Sequence, residues 1–469
     1  MSVQTTSETN ARAPQAETFR RQHPAPLKPR ALKIPAAAET KLANGLRVAI
    51  VHDARLPMVS FRLAFLGGDS SDPAEMPGLS DMMAHLLTEG TANRSSLQIA
   101  EEVERLGATL SVSSTSDFTT IGASSLAVYA DEILELIADV TLLPSFPQNE
   151  IDLARENTKQ MLIQQRAQPN FLASERVAKV MFGQHPYARI SPTRESLDEM
   201  TRDKFTDFHR QSFAPDKGVL LIVGDVDLDD TAAKLEKFFG GWSNSSTPAS
   251  AAGSPPDRAA RVLYVIDRPG SAQSNIVIAN AGITRTSTDY FPMLLMHTVL
   301  GANASSRLFM NLREEKGYTY GAYSSLDARR LAGTFRATAE VRTPVTGASL
   351  HEFFFELNRI RDERVPDEEL QNAKSYLMGV FPIRIETQDG LIDQLTSVKM
   401  FELPDDYLHT YRDQVNAVTA EDVQRVAQQH VTPDRAAIVI VGDAKEIEDQ
   451  IKEYAETIER YDTEGNRKQ

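Results

Sequence analysis

The chain has 469 residues, 65 acidic against 50 basic side chains, a formal charge of −15 and no cysteine. Such a length calls for more than one core, and the acidity argues against a nucleic-acid or anionic-membrane partner. Without thiols, disulfides, thiol catalysis, iron–sulfur clusters and thiolate zinc sites are excluded. Residues 1–38 carry Pro14, Pro24, Pro26, Pro29 and Pro35 among polar side chains and read as an extended tail. They lack the apolar stretch of a secretory signal, and no run in the chain approaches the ~20 apolar residues that span a bilayer. The expected location is therefore cytoplasmic, or periplasmic if the true start lies upstream.

Beyond the tail, LRVAIV and VSFRLAFL are strand-like, and GLSDMMAHLLTEG and SLQIAEEVERLG are helical. TLSVSSTSDFTTIGASSL alternates as exposed antiparallel strands do. ADEILELIADVTL and NEIDLARENTKQMLIQQRA are amphipathic helices, and GVLLIVGDV is a buried strand. Trp242 then closes a core, and residues 243–258, rich in Ser and Pro, read as an interdomain linker.

The chain after the linker repeats the chain before it. SFAPDKGVLLIVGDVD (212–227) aligns without a gap on HVTPDRAAIVIVGDAK (430–445), pairing Pro215 with Pro433 and Gly224 with Gly442. Upstream of these, TRDKFTDFHR lies over TAEDVQRVAQ, read as two Thr-capped helices. Arg47–Asp53 lies over Arg261–Asp267, and FPQNEIDLA (146–154) over VPDEELQNA (365–373). Two copies of one fold are too few for a solenoid. The expected class is α+β: two duplicated α/β sandwich domains, 39–242 and 259–469, each a mixed, mostly antiparallel sheet with helices on one face.

The stretch GLSDMMAHLLTEGT (78–91) resembles the signature helix of the pitrilysin-type zinc peptidases, which include the mitochondrial processing peptidases. In that family G-x-A-H-F-L-E-H-x-x-F-x-G-T places two imidazoles one turn apart with a Glu between them as general base. Aligned on Gly78 and Gly90-Thr91, the first ligand is Asp81, the base is Ala84, and only the second ligand, His85, remains. The third ligand, a Glu two helices later, falls on Ala154, followed by Arg155. Zinc hydrolysis needs three ligands, an open position and a base, so the resemblance implies a degenerate site and no metal bound by this chain. Asp81 and His85 could hold a metal only weakly, because Glu89, one turn on, extends a row along the helix and does not converge with them. Otherwise His85 reads as a partly buried, hydrogen-bonded histidine.

SSRLFMNLREEKGYTYGAYS (305–324) is similar to the family's second landmark, S-S-R-L-F-x-x-L-R-E-x-x-G-x-x-Y. There an Arg and a Tyr seven residues apart hold the scissile peptide and stabilise its oxyanion; here they fall on Arg313 and Tyr320. A fixed cation and a phenol donor suit developing charge on a carbonyl oxygen. Bare of that resemblance, Arg313 reads as a helix-surface charge paired with Glu314 or Glu315, and Tyr320 as a strand-core aromatic; Arg307 and Tyr323 read as structural. GATLSVSSTSDFTT (107–120) matches a family segment, G-x-x-x-N-A-x-T-S, whose edge adds an extended peptide. Ser111 replaces the Asn expected there, and Ser113 follows on the same face.

The resemblance implies a clam-shell chamber and the metal-free subunit of a heterodimeric zinc endopeptidase. Such a subunit would bind extended peptide and supply Arg313 and Tyr320 in trans, with zinc held by a homologous partner carrying H-x-x-E-H. A catalytically inert structural protein, like the core proteins of respiratory complexes, is the alternative. A self-sufficient peptidase with relocated ligands is weakest, because H-x-x-E-H and H-E-x-x-H are both absent.

Overall fold

In the computed structural model, residues 32–243 and 253–468 are described. The expected tail lies almost wholly outside these residues, as does most of the expected linker. Strands β1 (Ala38–Lys41), β2 (Arg47–His52), β3 (Met58–Leu66), β4 (Thr109–Ser114), β5 (Phe118–Leu126) and β6 (Gly218–Gly224) form one sheet in the order β1-β2-β6-β3-β5-β4. A second sheet holds β7 (Val262–Asp267), β8 (Gln273–Ala281), β9 (Thr319–Ala328), β10 (Gly333–Arg342), β11 (Ala437–Gly442), β12 (Thr457–Tyr461) and β13 (Arg467–Lys468), ordered β13-β12-β7-β11-β8-β10-β9. The orders β2-β6-β3-β5-β4 and β7-β11-β8-β10-β9 superimpose the halves strand for strand. In each, one parallel pair (β2 with β6, β7 with β11) sits beside three antiparallel strands. The mixed, duplicated sheets are those the sequence implies.

The register corrects the alignment at the start of the repeat. Arg47 pairs with Val219 and Val262 with Ala437, so Arg47 corresponds to Val262 and not to Arg261. Both strands are continuous apolar runs, which carry no alternation to fix a register. The capping expectation holds in one copy only. Thr419 accepts from the Asp422 amide in a reciprocal capping box, whereas the side chain of Thr201 makes no cap hydrogen bond. The hairpin TLSVSSTSDFTTIGASSL alternates only along β4; β5 is buried over most of its length because it lies inside the sheet.

Each sheet carries the helices of its own half on one face. On the first, Val48, Ile50, Val59, Phe61, Leu63, Phe65, Leu220 and Ile222 meet Leu79, Met83, Ile133 and Ile137 in a closed core. Burying one such side chain stabilises by about 1.5–3 kcal/mol. Trp242 seals its edge, its ring set against Phe65 at 5.6 Å.

The opposite faces hold a feature that the sequence did not reveal. Helix Pro169–Phe182, from the first half, packs on β8 and β11 of the second sheet. There Leu172, Val177, Met181 and Phe182 join Tyr264, Ile266, Val277, Val439 and Val441. Helix Gln388–Met400, from the second half, packs on β3 and β6 of the first sheet. The exchange is reciprocal to the level of single contacts. Ser60 donates to Asp389 at 2.7 Å, and at the corresponding positions Asn275 donates to Asn170. The halves therefore interlock within one unit, Ile34–Gln469. Among the described residues no helix is long and apolar enough to cross a membrane.

Candidate functional site

Gly78, at φ 88°, turns the chain into the short helix Leu79–Leu86. A Cβ there would lie 2.8 Å from Pro192, so both the conformation and the space require glycine. Asp72 anchors this start, accepting from the Gly78 amide at 2.7 Å and from the Ser80 amide at 2.9 Å. Burial pushes the Asp72 carboxyl up to about 7, although the Ser80 and Gly78 hydrogen bonds oppose the shift. Nearby Asp69 is raised to about 6, again mainly by burial, and accepts from Ser114 at the end of β4. Sequence reasoning missed both acids; the only signal was an acid shortly ahead of a glycine-led helix start.

Met82, Met83, Ala84 and Leu86 of this helix face the core, while Asp81 and His85 point outward one turn apart. Although Asp81 reaches the surface, the protein around its carboxyl displaces enough water to raise it from its ordinary value, with the His85 charge opposing. His85 is not the partly buried, hydrogen-bonded residue expected. It is exposed, and its ring makes no hydrogen bond among the described residues. Ala84 is 1% exposed and Ala154, on helix Gln148–Arg166, is 4% exposed. The two helices pack together, and both methyl groups are buried at the positions that the resemblance assigns to the base and third ligand. Arg155 turns away, donating to the Leu197 and Met200 carbonyls at 3.0 and 2.9 Å. Among the described residues no three His, Asp or Glu side chains converge as a metal would require. This donor set does not fit zinc.

β4 is an edge strand, as expected, with Ser111 opposite Gly122 and Ser113 opposite Thr120. Both serines are exposed, and the Ser113 hydroxyl lies 3.0 Å from that of Thr120.

The second half presents its residues differently. A helical turn at Arg307–Phe309 widens into a π-helical turn, Met310–Glu315, a distortion common at functional sites. Asn311 anchors it by donating to Glu352 and Glu356, each at 3.0 Å. Arg307 is buried and forks onto Glu369 at 2.8 and 2.7 Å. Arg313 is about half exposed; it pairs with Glu314 at 3.3 Å and lies 4.7 Å above the Phe309 ring. Tyr320 is not a core aromatic. It sits on β9, the edge strand of the second sheet, where Ala322 pairs with Ala339 but Thr319 pairs with Val341. The extra residue is a β-bulge, stitched by Thr319 Oγ1 donating to the Glu340 carbonyl at 2.6 Å. Bulges re-aim side chains, and Tyr320 stands 90% exposed.

The chain is similar to known proteins along most of its length. The family described as Insulinase (Peptidase family M16) matches residues 47–191, and Peptidase M16 inactive domain matches residues 199–377. An uncharacterized zinc protease of Mycobacterium leprae is 26% identical over 86% of this chain and 91% of its own. A protein of Helicobacter pylori named a non-peptidase homolog is 22% identical over 86% of this chain and 93% of its own. The crystal structure of a peptidase M16 inactive domain from Pseudomonas fluorescens superimposes with a TM-score of 0.81 at 26% identity, covering 87% of this chain and 97% of that one. The fold is also that of a protease from Helicobacter pylori, with a TM-score of 0.82 at 18% identity over 87% of this chain and 100% of that one. With the two family matches taking in more than half of the chain and the strand order repeated in both halves, the protein belongs to peptidase family M16.

Proposed function

We propose that this chain is the metal-free subunit of a heterodimeric zinc endopeptidase, with 39–242 and 259–469 as its two peptidase-like domains and 243–258 joining them. The observation that carries the reading is an asymmetry. The base and third-ligand positions of the first half carry buried methyls, Ala84 and Ala154, whereas Tyr320 of the second half is held on a bulge with its ring in solvent. An exposed phenol on an edge strand presents a ring and a hydroxyl donor to a ligand that arrives from outside.

In this reading a homologous subunit carrying H-x-x-E-H holds the zinc, which would supply the activated water. Tyr320 donates its hydroxyl to the carbonyl oxygen as charge develops there, and Arg313 exchanges Glu314 for the peptide. The exposed backbone of β4 around Ser111 and Ser113 offers hydrogen bonds to an extended peptide. The alternative, an inert structural or binding protein of the same fold, draws support from Arg313 being already paired with Glu314.

The test is reconstitution. Alone, the chain should carry substoichiometric zinc and cleave no unstructured peptide; mixed with a homologue bearing intact H-x-x-E-H, it should raise that subunit's peptidase activity. One tightly held zinc per chain, removed by chelator together with a peptidase activity of the isolated chain, would contradict the reading.

A further inference from the structure

The two halves treat the face opposite their own helices differently. On the first sheet Arg62 of β3 lies flat on Gly122 of β5, its guanidinium carbon 3.1 Å from where a Cβ would be, and pairs with Asp393 of the exchanged helix at 2.9 Å. Register places Val277 where Arg62 stands and Thr338 where Gly122 stands. The plug is gone, and a cavity of about 570 Å³ opens beside the exchanged helix, within the usual range for a ligand site.

Its lining is polar and divided. At one end Arg336 of β10 donates Nε to Thr334 at 3.1 Å, and no carboxylate among the described residues forms an ion pair with it. Asp327, the acid whose charge reaches it, is held by Arg329 at 2.6 Å. Burial lowers the Arg336 pKa from its ordinary value, with the Asp327 charge opposing and the Arg329 charge adding to the shift. Arginine does not deprotonate in proteins, so the charge persists. At the other end, four residues along the same strand face, stands Glu340 with Asn275 opposite it. Asn275 is 6% exposed, and its Oδ1 has no donor among the described residues. One end lacks an acceptor and the other lacks a donor, separated by roughly 13 Å of extended strand. Tyr320 stands on the wall at the Glu340 end.

We propose that this cavity is a peptide subsite that takes a carboxylate on Arg336, with the peptide running along β10 so that an N–H reaches Asn275 Oδ1 near Tyr320. The proposal rests on the peptide-binding part of the proposed function but not on zinc or on a partner. A bidentate guanidinium–carboxylate pair in a recess partly closed to water is among the stronger polar contacts available. The carboxylate could be a C-terminus or a glutamate side chain; both offer the same two oxygens.

The experiment uses the full chain alone and a fluorescein-labelled alanine–serine octapeptide in three forms: free C-terminus, amidated C-terminus, and amidated with one internal glutamate. By fluorescence anisotropy, at least one carboxylate form should bind about tenfold or more tightly than the neutral amide. A tight free-acid form assigns the site to C-termini, and a tight glutamate form assigns it to side chains. Arg336→Gln should bring all three together, while Arg336→Lys, which keeps charge without the fork, should retain part of the preference. Thr338→Trp, which fills the cavity with a neutral side chain, should abolish binding without touching Arg336. Equal binding of all three forms, no binding of any, or an unchanged preference in both Arg336→Gln and Thr338→Trp would overturn the proposal. Failure of the unaltered chain to raise a zinc-bearing partner's peptidase activity, with these preferences intact, would instead count against the trans role of Arg313 and Tyr320.

Discussion

The first and second halves share strand order, parallel pair and exchanged helix, yet their working surfaces have moved apart. Near the edge strand of the first half lies the helix that carries Asp81, Ala84 and His85, and the outer face beneath the exchanged helix is plugged by Arg62 and Asp393. The second half keeps that face open and lifts Tyr320 off its edge strand on a bulge. Duplication thus holds the backbone wherever a ladder or an exchanged helix must fit, and leaves edges and open faces free to diverge. Packing explains this: a change inside a close-packed interlock is felt at once, whereas an edge residue touches little.

The sharpest way to break the comparison is to force the first half back toward a metal site. Asp81→His with Ala84→Glu and Ala154→Glu puts two carboxylates where methyls are packed. Without metal this should destabilise on the order of 3–6 kcal/mol, from overpacking and unpaired buried charge. Zinc should recover much of the loss by binding only the folded chain. Thermal melts with zinc and with chelator check both parts. An unchanged melting temperature in chelator would mean that the two positions are looser than their burial implies.

A second difference is read with acid. His209 in the first half and His297 in the second are both withdrawn from solvent, and burial lowers both rings to about 4 from 6.5. Between those values the unfolded chain holds the extra proton, so stability falls as pH falls, by about 2 kcal/mol per ring between pH 7 and pH 5. Asp69 and Asp72 in the first half act oppositely. Their folded pKa values, about 6 and about 7 against 3.8 unfolded, mean that the folded chain holds the extra protons there and loses stability as pH rises. His297→Gln should therefore flatten the acid limb of urea-unfolding free energy, and an unaltered slope would show that the ring is protonated in the fold.

The smallest expected effect tests the symmetry of the exchange. Ser60→Ala and Asn170→Ala each remove one hydrogen bond between a sheet and its exchanged helix, and each should cost about 1 kcal/mol. A silent change in one half and a full loss in the other would show that the interlock bears weight on one side only.

Much of this architecture is legible in the sequence. The repeated VGD strands, the helices at 130–142 and 148–166 and the edge at Thr109–Ser114 follow from periodicity and from turn residues. The exchange is not legible, because the apolar stripe of Pro169–Phe182 says that the helix is buried but not against which sheet. Nor is the Arg62–Asp393 plug, whose members are joined only by the fold. Gly321 beside Tyr320 hints at a bulge, but a glycine within a strand pattern does not tell which neighbour it re-aims. Ala84 and Ala154 can be read as a lost base and a lost third ligand; that both methyls are buried is visible only in the fold.

The central claim is that the second half still supplies groups to peptide cleavage while the first half no longer holds zinc. It is tested most directly by Tyr320→Phe in this chain, reconstituted with a zinc-bearing homologous subunit. The substitution removes a hydroxyl from a side chain that is 90% exposed, so folding, assembly and zinc content should not change. Peptide hydrolysis should fall about 10²–10³-fold, the usual cost of losing one oxyanion donor. A complex that assembles, keeps its zinc and cleaves at the original rate with Tyr320→Phe would contradict the account and favour an inert structural role.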